Sequence, residues 1–413
     1  MLIRQVFTPI LVAASLVLLI SFAIRASFGV FQIPIANDLG WFRTEFSLAI
    51  AIQNLSWGIA TPLFGAFAEK LGDRKAIVVG VLVYALGLGL SSMASTPAEH
   101  QFLEILVGVG IAGTGFGVIL GVVGRAASDE TRSLALGVTT AAGSAGQIVG
   151  PPLTQYMLDT MAWQSVFLVY AGVVLMALFA LPFMKAPAKA SKQELDESLS
   201  KILNIAVRDP SYILIFAGFF SCGFQLGFIT AHFPAFVTEA CATIDPNGLL
   251  TKMGIKDTAD LGAVSIAVIG VFNIIGTVSA GALGGRYSKR ILLAGIYLAR
   301  TLLFSWFILT PMTPVTVLIF SSLIGALWLA TVPLTSGLVA YIYGLRYMGT
   351  LYGLVFLSHQ IGSFVGVWLG GDFYDRFGSY DIVWWVGVGT GLLSAVVHLP
   401  VKERPINDRP ITA

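Results

Sequence analysis

Twelve stretches of this chain are apolar for long enough to cross a lipid bilayer as helices, at about 8–36, 44–68, 75–95, 100–123, 133–157, 163–184, 210–237, 260–284, 290–309, 314–341, 347–371 and 381–401. A hydrocarbon layer of about 30 Å takes roughly 20 residues of helix to span. Inside it, each backbone N–H and C=O must be bonded within its own segment. Little other than a bundle of transmembrane helices satisfies both conditions. Composition agrees: 56% of the 413 residues are apolar and 11% are charged, against about 25% charged in soluble domains. The reading is an all-α membrane protein with twelve transmembrane helices, in contact with a lipid bilayer. A net charge of +2 gives no basis for binding nucleic acid.

An even number of crossings returns both termini to one side, and the basic residues say which. With the N-terminus inside, 18 of the 24 Lys and Arg lie on the cytoplasmic side, and only Arg43, Lys252, Lys256 and Arg376 lie outside. Short loops rich in Lys and Arg stay in the cytoplasm. The expectation is a multi-pass protein of a bacterial inner (plasma) membrane with both termini cytoplasmic. The first run follows Arg4 but is too long for a secretory leader, and eleven more follow it, so it is expected to be retained. Cys222 and Cys241 fall on one helix, and neither a disulfide framework nor metal-ligand spacing occurs, so no metal and no cofactor are expected.

One long polar stretch, rich in Lys, Glu and Ser, separates six runs from six. The expected units are an N-terminal six-helix bundle over 1–185, a cytoplasmic linker over 186–208 and a C-terminal six-helix bundle over 209–413. Within the linker, Leu195, Leu199, Ile202, Leu203 and Ala206 recur at helical spacing, which suits either a helix on the membrane surface or a solvated connection. The halves look like copies. Arg25 to Pro34 laid over Gln225 to Pro234 pairs Phe28 with Phe228, Gln32 with His232 and the two prolines. A second offset, longer by the loop Glu239 to Asp260, pairs Gly65 with Gly281, Gly146 with Gly362 and Gly150 with Gly366. Internal duplication of this kind is a mark of transporter folds.

Between runs two and three, Gly65-Ala-Phe-Ala-Glu69-Lys70-Leu-Gly72-Asp73-Arg74-Lys75 resembles the signature loop of the major facilitator superfamily, with Glu69 where Asp is usual. Gly281 to Arg290 resembles a degraded second copy, Gly285 standing at the acidic position. The resemblance implies two pseudo-symmetric six-helix bundles that rock about a central site, with Glu69, Lys70 and Arg74 as an inner gating latch. Gly146-x-x-x-Gly150-Pro151 resembles the family's fifth-helix motif, although close packing of small residues explains it equally well. Phe28-Gly-Val-Phe-x-x-Pro34, Gly40-Trp41-Phe-Arg43 and Arg132-Ser-Leu-Ala135-Leu-Gly137 look like bacterial members of the monocarboxylate transporter family. In animal members an Asp and an Arg one turn later serve coupling in span eight. Asn273 and Thr277 stand there instead, so neither substrate nor coupling carries over.

Two arginines interrupt the apolar runs, Arg25 and Arg300, and no Asp or Glu is clearly buried in a comparable run. A lone charge at that depth costs roughly 2.5–3.5 kcal/mol. The simplest partner for Arg25 is an anion from outside the protein, since a guanidinium offers a planar fork that fits a carboxylate. A carbonyl, or a rim acid such as Glu104, is the competing partner. By the resemblance, spans 1, 4, 7 and 10 line the cavity and span 9 lies outside it, so Arg300 reads as satisfied within the second bundle. Seven residues from Arg25, Gln32 shares its helical face. His232, on a face with Gln225, and His359 are the candidates for a proton-coupled step, because histidine titrates near neutral pH. His100 and His398 read as rim residues. Asn273, Gln147 and Trp328 are further candidate contacts, with Gln53, Asn54, Trp57, Thr140, Ser144 and Thr331 beside them. Phe28 and Phe228 supply an apolar wall. No clustered nucleophile or metal set supports an enzyme, and the short tail argues against a sensor. The function expected is secondary active transport of a small organic anion, a monocarboxylate, by a monomer coupled to a proton or to a counter-anion. The alternatives are anion exchange and efflux of a larger organic compound.

Overall fold

The computed structural model describes residues 8–127, 132–184, 199–344 and 348–406. The first bundle contains span 1 (Pro9–Leu39), span 2 (Arg43–Leu71), span 3 (Asp73–Ser91), span 4 (Pro97–Ala126), span 5 (Arg132–Leu158) and span 6 (Trp163–Phe183). The second contains span 7 (Pro210–Ala240), span 8 (Thr258–Gly284), span 9 (Lys289–Leu309), span 10 (Pro314–Tyr343), span 11 (Met348–Phe377) and span 12 (Asp381–His398). Of the linker, the part before Leu199 lies outside the described residues. The rest is a short helix, Leu199–Arg208, that buries Ala206 and half-buries Ile202 and Leu203.

The duplication reaches the capping residues. Spans 1 and 7 begin Thr8-Pro9 and Asp209-Pro210, and spans 4 and 10 begin Thr96-Pro97 and Thr313-Pro314. In each pair a side-chain oxygen accepts from an N–H of the first turn, while proline occupies the position whose N–H would have no partner. These distances are 3.3 Å at Thr8, 3.0 Å at Asp209, 3.3 Å at Thr96 and 3.2 Å at Thr313. The reversal between spans 2 and 3 turns on Gly72, whose φ of 103° excludes most side chains.

Packing repeats as well. Span 1 lies on span 5, span 2 on span 4 and span 3 on span 6, and the second bundle reproduces this as 7 on 11, 8 on 10 and 9 on 12. A Cβ at Gly146 or Gly150 would strike the span 1 backbone at Leu19 and Ala23, and one at Gly362 or Gly366 would strike the span 7 backbone at Phe220 and Phe224. Lipid offers no hydrophobic drive for helix association, so close backbone approach through small residues does this work. The bundles meet along spans 2 and 11 and along spans 5 and 8.

Spans 4 and 10 both break midway, at Gly115 and at Trp328 to Ala330. Pro333 contributes to the second break, because it carries no N–H and its ring crowds the carbonyl four residues back. Replacing Gly150 or Gly366 by Leu should cost at least about 1–3 kcal/mol by overpacking, read as a lower thermal midpoint in detergent. Gly295→Leu, where no heavy atom lies within 4 Å of an added Cβ, should leave the midpoint near that of the unmodified protein.

Candidate functional site

Where spans 1, 2 and 7 cross, Arg25, Phe28, Ile50, Gln53, Asn54, Gly227, Thr230 and Ala231 enclose a gap of about 10 Å³ between the bundles. That is room for about one water molecule. Gly29 sits flush on the Thr230 carbonyl, so spans 1 and 7 touch backbone to backbone there.

Among the described residues, Arg25 is held in this gap without a counter-charge. Its Nη2 donates to Asn54 Oδ1 at 3.2 Å, and its guanidinium carbon lies 4.8 Å from the ring centroid of Trp57. The Nε is buried without a partner, and among the described residues no carboxylate forms an ion pair with it. An aromatic face and one amide oxygen stabilise a guanidinium by a few kcal/mol at most. Donor capacity therefore remains for an anionic group.

Arg300 behaves oppositely. Fully buried, it donates from Nε and Nη2 to Leu327 O, at 3.2 and 2.5 Å, from Nη2 to Trp328 O and from Nη1 to Cys222 Sγ at 3.3 Å. These carbonyls end the first half of span 10, where a helix presents partial negative charge. Asn273 satisfies the other side of the break: its Oδ1 accepts from Leu329 N and from Thr277 Oγ1, each at 2.9 Å, while its Nδ2 donates to Ser144 Oγ at 2.9 Å across the bundle interface.

Rotation about each helix decided the rest. Four residues of 3₁₀ turn, Phe28–Phe31, separate Arg25 from Gln32. At three rather than 3.6 residues per turn they add a rotation of about 80°, which leaves the two side chains about 60° apart, and Gln32 is not among the residues enclosing the gap. Gln32 instead donates to Ser47 Oγ at 3.3 Å and meets His232 Nδ1 at 3.1 Å. His232 Nε2 is 2.7 Å from Val367 O, so Nε2 carries the hydrogen and Nδ1 accepts from Gln32. Both ring nitrogens are occupied, and His232 is a bridge between bundles. Gln225 turns away from the gap to donate to Gly387 O at 2.9 Å. Phe28 lines the gap, whereas Phe228 packs 5.0 Å from Trp384 inside the second bundle.

His359 is buried between Phe219 and Phe356, with Nδ1 2.9 Å from Gln360 Oε1. Its neighbour Gln360 is the residue that crosses, donating to Asn54 O at 3.1 Å. Gln147 and Trp328 are buried on spans 5 and 10 but are not among the residues enclosing the gap. His100 and His398 are buried rather than at the rim, and so is Glu104, because neighbouring spans cover the ends on which they sit. The expectation of no buried acid is corrected accordingly.

One end of the interface is pinned by polar contacts. Arg43 pairs with Glu239 and donates to Tyr380 Oη at 2.8 Å, while Asp375 accepts from Thr44 N at 2.7 Å and from Thr44 Oγ1 at 2.5 Å. Toward the opposite end, Gly65, Gly137 and Gly281 have no heavy atom within 4 Å of an added Cβ. In the signature loop, the side chains of Glu69 and Lys70 lie outside the described residues. Arg74 donates to the carbonyls of Pro182 and Met184 at 2.9 and 3.0 Å, and Asp73 pairs with Arg125 at 2.5 Å. These described contacts all stay within the first bundle.

Residues 14–367 match the Major Facilitator Superfamily. The chain belongs to that superfamily. It is accordingly a multi-pass membrane transporter and not an enzyme. The uncharacterized MFS-type transporter YcxA of Bacillus subtilis (strain 168) is 26% identical over 390 residues, covering 91% of this chain and 90% of that one. Monocarboxylate transporter 11 of Mus musculus is 30% identical over 145 residues, 34% of this chain and 30% of its own length. The crystal structure of a D-xylose-proton symporter superposes with a TM-score of 0.69 at 14% identity, covering 96% of this chain and 99% of that one, which is a likeness of superfamily fold.

Asn54, Trp57 and Gln53 carried a signal, being polar or amphipathic residues within the apolar run of span 2. Thr230 and Ala231 carried none. Two outcomes test the superfamily geometry. A Thr44→Cys, Asp375→Cys pair should cross-link on mild oxidation and stop transport until reduced, read by gel mobility after cleavage in the linker. Arg300→Met should destabilise the second bundle by about 1–3 kcal/mol for each carbonyl left unbonded, read by thermal unfolding, with Arg300→Lys intermediate.

Proposed function

We propose that this superfamily member moves a small organic anion, a monocarboxylate, across a bacterial inner membrane by alternating access with both termini cytoplasmic. One observation carries the reading: the Arg25 guanidinium lies in a gap shared by both bundles, with unused donor capacity and no carboxylate of the described chain paired to it. A substrate carboxylate fits the guanidinium fork in two parallel bonds, Asn54 and Gln53 orient it, and Phe28 with Ile50 faces its apolar part. The partial likeness to a monocarboxylate transporter supports the same substrate class. The 18 to 4 distribution of basic residues supports the orientation, which makes the Arg43 end the outer one. Alternating access then consists of parting the Arg43, Glu239 and Asp375 contacts while the opposite end closes.

The coupling partner is a proton or a counter-anion. Either way Arg25 returns across the membrane with its charge compensated, which a lone buried guanidinium needs. Purified protein in proteoliposomes should exchange labelled monocarboxylates and not labelled organic cations. Arg25→Ala should reduce the rate at limiting substrate by about 10- to 100-fold, the loss of a charge-assisted bond of about 1.5–3 kcal/mol. Arg25→Lys should recover part of it, keeping the charge without the fork. Exchange of cations, with Arg25→Ala behaving as wild type, would remove the basis for an anion.

A further inference from the structure

Beside the gap lies a buried acid that the anion site does not use. Glu104, two turns into span 4, has 0% of its surface exposed. Gln53 Nε2 donates to its Oε2 at 2.6 Å. Its Oε1 has no hydrogen-bond partner, and His100 Nε2, which also lacks one, lies 3.8 Å from it. Around the imidazole, Phe46 stacks at 5.9 Å and Trp41 and Phe167 lie at 5.8 and 6.2 Å, so the pair is shut into an aromatic box.

The titratable and charged groups facing the acid come from every neighbouring span. Span 4 supplies His100. Span 3 supplies Tyr84, which is in electrostatic reach of Glu104, of Arg25 on span 1 and of Tyr170 on span 6, and which is directed to Ser21 O at 3.4 Å. Span 2 supplies the neutral amide of Gln53. Among the described residues no Lys or Arg forms an ion pair with Glu104. An ionised carboxylate with one amide donor is poorly compensated at such a place, where desolvation costs several kcal/mol. A proton on Oε1 removes that cost, and a shortening of the 3.8 Å separation lets it bond His100 Nε2, joining two polar atoms that among the described residues have no partner.

We propose that Glu104 and His100 together hold one exchangeable proton and that it is the coupling ion for transport. In the binding step a proton from solution forms an O–H bond at Oε1, directed at His100 Nε2. In the release step that bond breaks and the proton leaves to the opposite compartment. Gln53 links this site to the gap, because it lines the gap and is also the donor that favours the charged carboxylate. An anion at Arg25 that draws the Gln53 amide onto itself leaves Glu104 to be neutralised by a proton. Protonation of Glu104 in turn frees Gln53 for the anion. The two ligands therefore favour each other, as linkage requires of a coupling that runs both ways, and the sign is that of symport.

The proposal rests on the anion reading, and the test separates them. Infrared difference spectra of the full-length protein in lipid vesicles, taken between acidic and alkaline buffer without substrate, should contain, apart from the band of the exposed acids, a protonated-carboxyl stretching band at the higher frequency of a carboxyl shielded from water. Glu104→Gln should lack it, and His100→Gln should shift its midpoint. With labelled pyruvate as probe, a pH gradient of one unit should drive accumulation of up to about tenfold for a single proton. Glu104→Gln should not accumulate it above the outside concentration, and Glu104→Asp should recover part. Accumulation by Glu104→Gln equal to wild type overturns the proposal, as does a wild-type spectrum without that higher-frequency titrating band. The latter decides even if Glu104→Gln is not monodisperse on size exclusion. If wild type takes up no monocarboxylate while the Glu104 band titrates, the anion reading fails and the proton site stands.

Discussion

A polar group buried at membrane depth has no water to turn to, and where a helix of this protein breaks, the freed backbone groups are answered by other parts of the chain. The clearest case is the break in span 10. Its freed carbonyls at Leu327 and Trp328 are taken by Arg300, and the Leu329 N–H is taken by Asn273. The same rule joins the bundles, through Gln32 with His232 and through Asn273 with Ser144. Irregular backbone survives in a membrane only where neighbouring side chains complete it, so these residues let the second bundle keep a broken helix beside its centre.

Against that background the incompletely answered groups stand out. Among the described residues, Arg25 Nε, Glu104 Oε1 and His100 Nε2 are buried without partners and lie together in the first bundle around span 2, whereas Tyr297 Oη and His398 Nε2, also without partners, lie in the second bundle. Gln53 and Asn54, adjacent on that span, reach respectively toward the acid and the arginine. On the proposed reading, a positive centre open to the bundle interface and an acid closed behind it divide two tasks between two places. The first suits a ligand that enters and leaves. The second suits a proton, which is small enough to need no cavity.

The bundle interface combines tight contact with removable locks. Glycines bring spans 1 and 5, and 7 and 11, together within each bundle, where separation would expose backbone to lipid. Between bundles the Arg43 end is held by an ion pair and hydrogen bonds at partly exposed positions. Exposed ion pairs contribute little net stability, so contacts of this type hold one arrangement without making the other costly.

Periodicity and local chemistry are properties of the chain alone, and they settled a good part of this molecule. Run lengths set twelve crossings, and the paired glycines announced that the halves repeat. A lone Arg25 in an apolar run could be read as a site because charge in lipid needs a reason wherever it points. Direction was another matter. Gln225 and Phe228 share span 7 with residues lining the gap, yet packing turns them into the second bundle, and Gln32 is taken up by Ser47 and His232 instead of the gap. Glu104 and His100 read as rim residues because they sit two turns or less from the start of span 4. Their burial comes from Trp41 and from side chains on spans 2 and 6 that no local pattern connects to them. Helix existence is decided within a segment, whereas the rotation of each helix and the depth of each side chain are decided by the neighbours it packs against.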